Sequence, residues 1–367
     1  MDNAAVNRLV IRAPNWLGDA VMALPAMGAI RAAFGGAHVA VAAIPSIAPL
    51  FDEDTSAGQD SVIPVPDAAA EVRVLRAGGF DAIVLLPNSF RSAWSARRAS
   101  IPERWGYASG FRRWLLTRAV SRPRGRVHQS TCYLDLVKGL ELPEGDPWPR
   151  VVVRPATRTR ADAVLAAHGL GEEADGVRVV GFAPGAAYGH AKRWPPRMVA
   201  ETIVRLSRES SAVCVMFGAG GDRDSGREIE SLLPPDVRAV NLIGRTDLRL
   251  LAGVMTRCSA FVSNDSGAMH LAAALGLPVV AIFGATDERV TSPLGAPGRL
   301  GEIVTPDVLT HPVFCRPCML RDCPIDHRCM KGVTVDVVVA AVTRRLGAAP
   351  VALSGRGKES GRAEVMK

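Results

Sequence analysis

Apolar residues in the first third of the chain fall in short unbroken runs rather than in strict alternation: Arg8 to Ala13, His38 to Ala43, Ser61 to Val65 and Asp81 to Leu86. Runs of this length bounded by Gly, Pro or Asp predict strands covered on both faces, as in a parallel sheet with crossover helices. After the first run come Pro14-Asn-Trp-Leu-Gly-Asp19 and a helical period from about Asp19 to Phe34, closed by Gly35-Gly36. That opening reads as strand, loop, helix. From Val177 the pattern is more regular. Strands are predicted at Val177–Pro184, Ala212–Phe217, Val240–Leu242, Ala260–Ser263 and Val279–Phe283, with helices at Pro196–Glu209, Gly226–Leu233, Asp247–Arg257 and Gly267–Leu275. Five consecutive strand–helix units predict a doubly wound α/β sheet. Between the two series lie Pro143, Pro147, Pro149 and Pro155, then Gly171-Glu-Glu-Ala-Asp-Gly176. We therefore expect two domains, 1–165 and 176–347, facing across a cleft, with 354–367 as a Gly/Ser/charge-rich disordered tail.

Length agrees with two domains, since 367 residues exceed a comfortable single core. No internal repeat is visible. Pro25, Pro45 and Pro49 interrupt the longest apolar stretches short of the ~20 residues a membrane-spanning helix needs, and Met1 to Arg12 carry no secretory pattern. A cytoplasmic protein is expected. The net charge of +8 has one origin: Arg91 to Arg126 contains ten arginines and a single acid, Glu103, so the rest of the chain is close to neutral. Such a segment implies an anionic partner, whether phosphate, lipid headgroup or nucleic acid, or else a solvated basic face.

Three loops combine the residues that handle anions. In Phe261-Val-Ser-Asn-Asp-Ser-Gly-Ala-Met-His270 a strand runs into a helix start, where free N–H groups and the dipole favour a diphosphate. The alternative is an ordinary N-cap. Pro184-Gly-Ala-Ala-Tyr-Gly-His-Ala-Lys-Arg-Trp-Pro195 carries Lys192 to the same sheet edge, as a diphosphate contact or a surface Lys-Arg pair. Asp19, in the first turn of its helix, is either a general base facing the cleft or a helix-terminal carboxylate. Asp52-Glu-Asp54 and Asp222-Arg-Asp224 fit the loose Asp-x-Asp pattern of metal-dependent sugar transferases. Four of seven cysteines crowd into Cys315-x2-Cys318-x4-Cys323-x5-Cys329, which suggests a structural zinc or an iron–sulfur cluster, with reduced thiols as the alternative.

Asn15-Trp-Leu-Gly-Asp19, Pro184-Gly-x5-Ala-Lys-Arg-Trp-Pro195, Asn264-Asp-Ser-Gly-x-Met-His270 and Phe283-Gly-Ala-Thr286 together resemble the ADP-heptose:lipopolysaccharide heptosyltransferases, most closely the heptosyltransferase II branch. The resemblance covers about residues 9–347. It implies two Rossmann-like domains of the GT-B type, with a lipid A–Kdo–heptose acceptor on the first and ADP-heptose on the second. It also implies an inverting transfer with no cofactor required for catalysis, by an enzyme peripheral at the cytoplasmic face of the inner membrane. By the same resemblance Asp19 is the catalytic base and Lys192 the diphosphate contact. Thr246, Asp265, Ser266, Gly267 and His270 surround the donor, and Arg97, Arg98, Arg112 and Arg113 meet acceptor phosphates or Kdo carboxylates. Two other functions use some of these residues. A GT-B nucleotide-sugar epimerase needs the phosphate loops but not the arginines. A nucleic-acid-binding protein needs the arginines, with Trp94, Trp105, Tyr107 and Trp114 for stacking, but neither Asp19 nor the phosphate loops.

Overall fold

The computed structural model describes residues 6–171, 177–298 and 301–348. The tail 354–367 lies outside the described residues. Two six-stranded parallel sheets form the body of the molecule. The first runs in the order Ser61–Pro64, His38–Ala43, Arg8–Arg12, Ala82–Leu85, Glu103–Tyr107, Arg118–Val120. The second runs Ala239–Asn241, Val213–Met216, Val179–Ala183, Ala260–Asn264, Val279–Phe283, Asp307–Thr310. In each sheet the chain order reverses beside the first strand laid down. The reversal falls between Arg8–Arg12 and Ala82–Leu85, and again between Val179–Ala183 and Ala260–Asn264, so a crevice opens beyond their carboxyl ends.

The central strands are apolar through their middle positions because helices cover both faces, and Val10, Val41, Val84, Val180 and Phe261 are fully buried. Close packing dictates one residue. Gly181 stands opposite Phe261, and a Cβ there would lie 2.5 Å from its ring. The outer strands Arg118–Val120 and Asp307–Thr310 and the next-to-edge strand Glu103–Tyr107 were not foreseen, because each mixes charged residues into a short run. The predicted helix 19–34 is in fact two, Leu17–Met22 and Leu24–Ala33. Pro25 has no N–H to continue the ladder, and the helix restarts there.

The helix Pro155–Ala167, expected mostly within the first domain, packs on Leu248–Met255 of the second, where a Cβ on Gly253 would come within 2.9 Å of the Ala161 Cβ. Glu53 joins the two: its buried carboxylate accepts from Arg154 N at 2.6 Å, Thr157 Oγ1 at 2.5 Å and Arg249 Nε at 2.9 Å.

Candidate active site

Four loops converge on the crevice. From the first domain comes 13–19, after the strand Arg8–Arg12. Arg12 is buried against Glu71, with Nε 2.6 Å from Oε1, and its Nη2 donates to Asn15 Oδ1 at 3.0 Å, which fixes the loop from below. The loop ends in the helix Leu17–Met22 with Asp19 in its first turn. From the second domain come 184–194, 244–248 and 264–267. Asn264 ties two of these together: its Nδ2 donates to Pro184 O at 2.6 Å and its Oδ1 accepts from Trp194 N at 3.1 Å. Arg12 was not singled out by sequence, since it acts by holding backbone, and Asn264, read there only as part of a helix start, ties two loops together as well.

The helices Leu17–Met22 and Gly267–Ala274 meet amino end to amino end across the domain junction. Their approach depends on missing side chains: a Cβ on Gly267 would be 2.8 Å from Leu17 Cβ, and one on Gly18 would be 2.8 Å from His270 Cδ2. Two sets of helix-terminal N–H groups thereby face one region, which is a setting for a dianion. Ser266 occupies the N-cap position without capping; its Oγ lies 3.1 Å from Ser263 Oγ.

Around this junction the charged residues are coupled. Lys192 Nζ lies 2.6 Å from Asp265 Oδ2 and 4.8 Å over the Tyr188 ring, and Asp265 Oδ2 also accepts from Thr286 Oγ1 at 2.6 Å. Burial pushes the Asp19 carboxyl above its ordinary pKa; the Lys192 ammonium opposes that rise and the Asp265 carboxylate adds to it. His270 is pushed down to about 4, chiefly by burial, so it is neutral at pH 7. Expected as a donor contact, its ring instead lies buried under Gly18. Tyr133, also buried, feels the charges of Asp19 and Arg122. His128 Nε2 lies 2.9 Å from Ser292 O across the junction, and Arg126 lies 3.6 Å from Asp287. Tyr133 carries no motif, and only the fold brings it near Asp19 and Arg122, as it brings His128 near His270.

A cavity of about 790 Å³ opens beside this cluster, within the size range of small-molecule sites. Asn15 to Gly18 wall it on one side, and Gly185 to Ala187, Thr246 to Leu248 and Ser266 to Ala268 on the other. Thr246, Ser266 and Gly267 line it; Asp19 and Asp265 adjoin the lining residues Gly18 and Ser266 in the chain, and Lys192 is paired to Asp265, but none of the three is itself part of the wall.

The arginines divide. Arg112 is not an acceptor contact: it is fully buried, donating to Tyr107 O at 2.9 Å, Ser89 O and Ser92 Oγ at 3.2 Å and Asn88 Oδ1 at 3.3 Å, with Pro87 O a further acceptor. Arg97 and Arg98 end the helix Phe90–Arg98, which starts at the crevice edge and carries them about 13 Å from it. Arg113 lies beside that helix and not in the crevice. Trp105 and Tyr107, offered as stacking groups, are buried, whereas Trp94 and Trp114 are exposed.

The two Asp-x-Asp matches are taken up internally. Asp222 pairs with Arg193 at 3.0 Å, Asp224 pairs with Arg227, and Asp54 pairs with Arg154 at 2.9 Å. Cys315, Cys318, Cys323 and Cys329 lie close enough for each of the first three to act electrostatically on Cys329, though among the described residues no three His, Cys, Asp or Glu side chains are arranged to hold a metal ion. Their loop buttresses Lys192 instead: Arg321 O accepts from Ala191 N at 2.8 Å, and Met319 O accepts from Tyr188 Oη at 3.0 Å.

The chain is similar in sequence to lipopolysaccharide heptosyltransferase 2 of Salmonella typhimurium, 30% identical over 315 residues, covering 81% of this chain and 88% of that protein. It is likewise similar to lipooligosaccharide heptosyltransferase 2 of Haemophilus influenzae, 31% identical and covering 78% and 86%. Its fold is similar to the solved structure of the ADP-heptose lps heptosyltransferase II of E. coli, with a TM-score of 0.77 at 26% identity over 93% of this chain and 99% of that one. The family model for glycosyltransferase family 9 (heptosyltransferase) matches residues 69–300. With two Rossmann-like domains in the GT-B arrangement and that match over most of its length, the chain belongs to glycosyltransferase family 9, the heptosyltransferases.

Proposed function

We propose that this glycosyltransferase moves a heptose from ADP-heptose to the heptosyl-Kdo2-lipid A inner core of lipopolysaccharide, with inversion at the anomeric carbon. The observation that carries the reading is the convergence of Asp19, the Lys192–Asp265 pair and two opposed helix amino ends at one side of a nucleotide-sized cavity. The acceptor hydroxyl gives its proton to the Asp19 carboxylate as its oxygen bonds to the anomeric carbon. The bond from that carbon to the diphosphate breaks, and its electron pair leaves on ADP. Lys192 and the N–H groups at Ser266 and Gly267 meet the growing charge on the diphosphate. Thr246 lies against the nucleotide. His270, beneath Gly18, positions the Asp19 loop.

Arg122, Arg124 and Arg126, exposed on the segment leading to Tyr133, meet the anionic inner core in place of Arg97, Arg98, Arg112 and Arg113. The positive charge needed at the diphosphate comes from the protein, so the transfer needs no divalent cation. The enzyme works at the cytoplasmic face of the inner membrane, where its acceptor is embedded. Among the described residues no helix is long and apolar enough to cross a membrane.

The test is incubation with ADP-heptose, with and without the glycolipid, in EDTA, followed by mass spectrometry. Glycolipid gaining one heptose with stoichiometric ADP is expected. ADP release without a glycosylated product, or activity that returns only with Mg²⁺ or Mn²⁺, would overturn the reading.

A further inference from the structure

The helix Phe90–Arg98 is inside out. It buries Ser92, Ala93, Ser95 and Ala96 and turns Phe90 and Trp94 to solvent, 42% and 41% exposed, flanked by Arg91, Arg97 and Arg98. A surface helix of a soluble domain ordinarily does the reverse. Trp114, from the loop after Glu103–Tyr107, completes an exposed aromatic cluster. Its ring centroid is 6.1 Å from Phe90 and 6.4 Å from Trp94, and those two stack at 6.2 Å. Trp114 itself is 63% exposed. Three residues earlier Phe111 is 96% exposed and sits at φ +58°, a conformation unfavourable for a bulky residue that holds its ring outward. Arg113 stands between Phe111 and Trp114 in sequence and is exposed. None of Arg91, Arg97, Arg98 and Arg113 has a carboxylate partner among the described residues. The result is one face on which exposed aromatics and unpaired guanidinium groups are interleaved.

We propose that this face docks on an anionic lipid bilayer, with Phe90, Trp94, Phe111 and Trp114 seated among the headgroups and Arg91, Arg97, Arg98 and Arg113 against lipid phosphates. Charge complementarity selects the occupant. Rings that are wet on one side and apolar in body suit the membrane interface, and unpaired arginines beside them suit a negative surface. The geometry also suits a lipid-linked acceptor. The Phe90 end of the helix follows the strand Ala82–Leu85, directly beside the strand that carries the Asp19 loop. A bilayer on this face therefore lies next to the crevice while leaving its mouth open. The inference deepens the proposed function, because it says how the enzyme finds an embedded acceptor.

Co-sedimentation of the full chain with vesicles free of glycolipid tests it independently of the transfer reaction. Vesicles of phosphatidylethanolamine with phosphatidylglycerol should bind the wild-type protein, phosphatidylcholine vesicles much less, and brominated phospholipid should quench its tryptophan emission. Phe111→Ser with Trp114→Ser should reduce partition by about tenfold, while the melting temperature and the affinity for ADP stay at wild-type values. Partition equal to wild type in that double variant, or equal binding to neutral and anionic vesicles, overturns the docking face. Unchanged vesicle binding together with lost binding to single-stranded RNA would assign the face to nucleic acid and overturn it equally. Failure of heptose transfer in the presence of normal vesicle binding would instead count against the proposed reaction alone.

Discussion

Asp19 owes its proton affinity to three influences of unequal sign: burial and Asp265 raise it, and Lys192 lowers it. A general base works deprotonated, so with its pKa raised, activity should be lost as pH falls through a midpoint above the ordinary carboxylate value of 3.8. Two substitutions should move that acidic limb in opposite directions in a kcat/KM profile. Lys192→Met removes the lowering influence and shifts it to higher pH; Asp265→Asn removes a raising one and shifts it to lower pH. Shifts of the same sign would refute the coupling. Asp19→Asn should lower kcat by ~10² to 10⁴ and leave ADP binding by calorimetry unchanged; near-normal turnover would remove Asp19 from the mechanism. His270 makes a separate prediction about stability. Its folded pKa, about 4, lies below the unfolded value of 6.5. Between those values the unfolded chain therefore binds the extra proton, and stability falls as pH falls through that window. Urea midpoints measured from pH 7 to pH 4 should decline less steeply in His270→Gln.

At the scale of elements, side-chain volume at strand crossings sets the tolerance. Gly181→Ala should cost about 1–3 kcal/mol in urea unfolding, because the Phe261 ring is anchored in the strand it would have to leave. The central strands were legible in sequence for the same reason they are intolerant. A strand covered on both faces is apolar at nearly every position, and Val179–Ala183 and Val279–Phe283 announce themselves. Glu103–Tyr107 did not, since Glu103, at the amino end of the strand, has its own local partners, Trp105 Nε1 at 2.9 Å and Thr117 Oγ1 at 2.8 Å. Likewise Asp19, Lys192 and Ser266-Gly267 were legible because helix starts and glycine-rich loops have sequence signatures. The failure over Arg112 has the opposite cause. A guanidinium sealed among carbonyl oxygens looks, in sequence, identical to one in water. Tyr133 was invisible because its proximity to Asp19 is created by crossovers and by no local pattern.

At the scale of the whole molecule, the two domains share one continuous apolar cluster that includes Ile11, Ala20, Leu165, Val254 and Leu271, and one polar hub at Glu53. Glu53→Ala should destabilise the junction by about 2–3 kcal/mol, below the cost of breaking a fully buried pair because Arg249 is partly exposed. Calorimetry should show one unfolding transition for the wild type, because the apolar cluster is shared, and two for the variant; one undivided transition at the wild-type midpoint would show the hub to be dispensable. The hub also has a consequence for synthesis. Residue 53 is made early, whereas Arg154, Thr157 and Arg249 arrive some 100 to 196 residues later. Arg154 and Thr157 supply neutral hydrogen-bond donors first, but until the ribosome has passed residue 249 the nascent first domain holds a carboxylate without its charged partner. That domain should therefore leave the tunnel as a loosely closed intermediate, open to proteases, which locks only when the helix Leu248–Met255 appears.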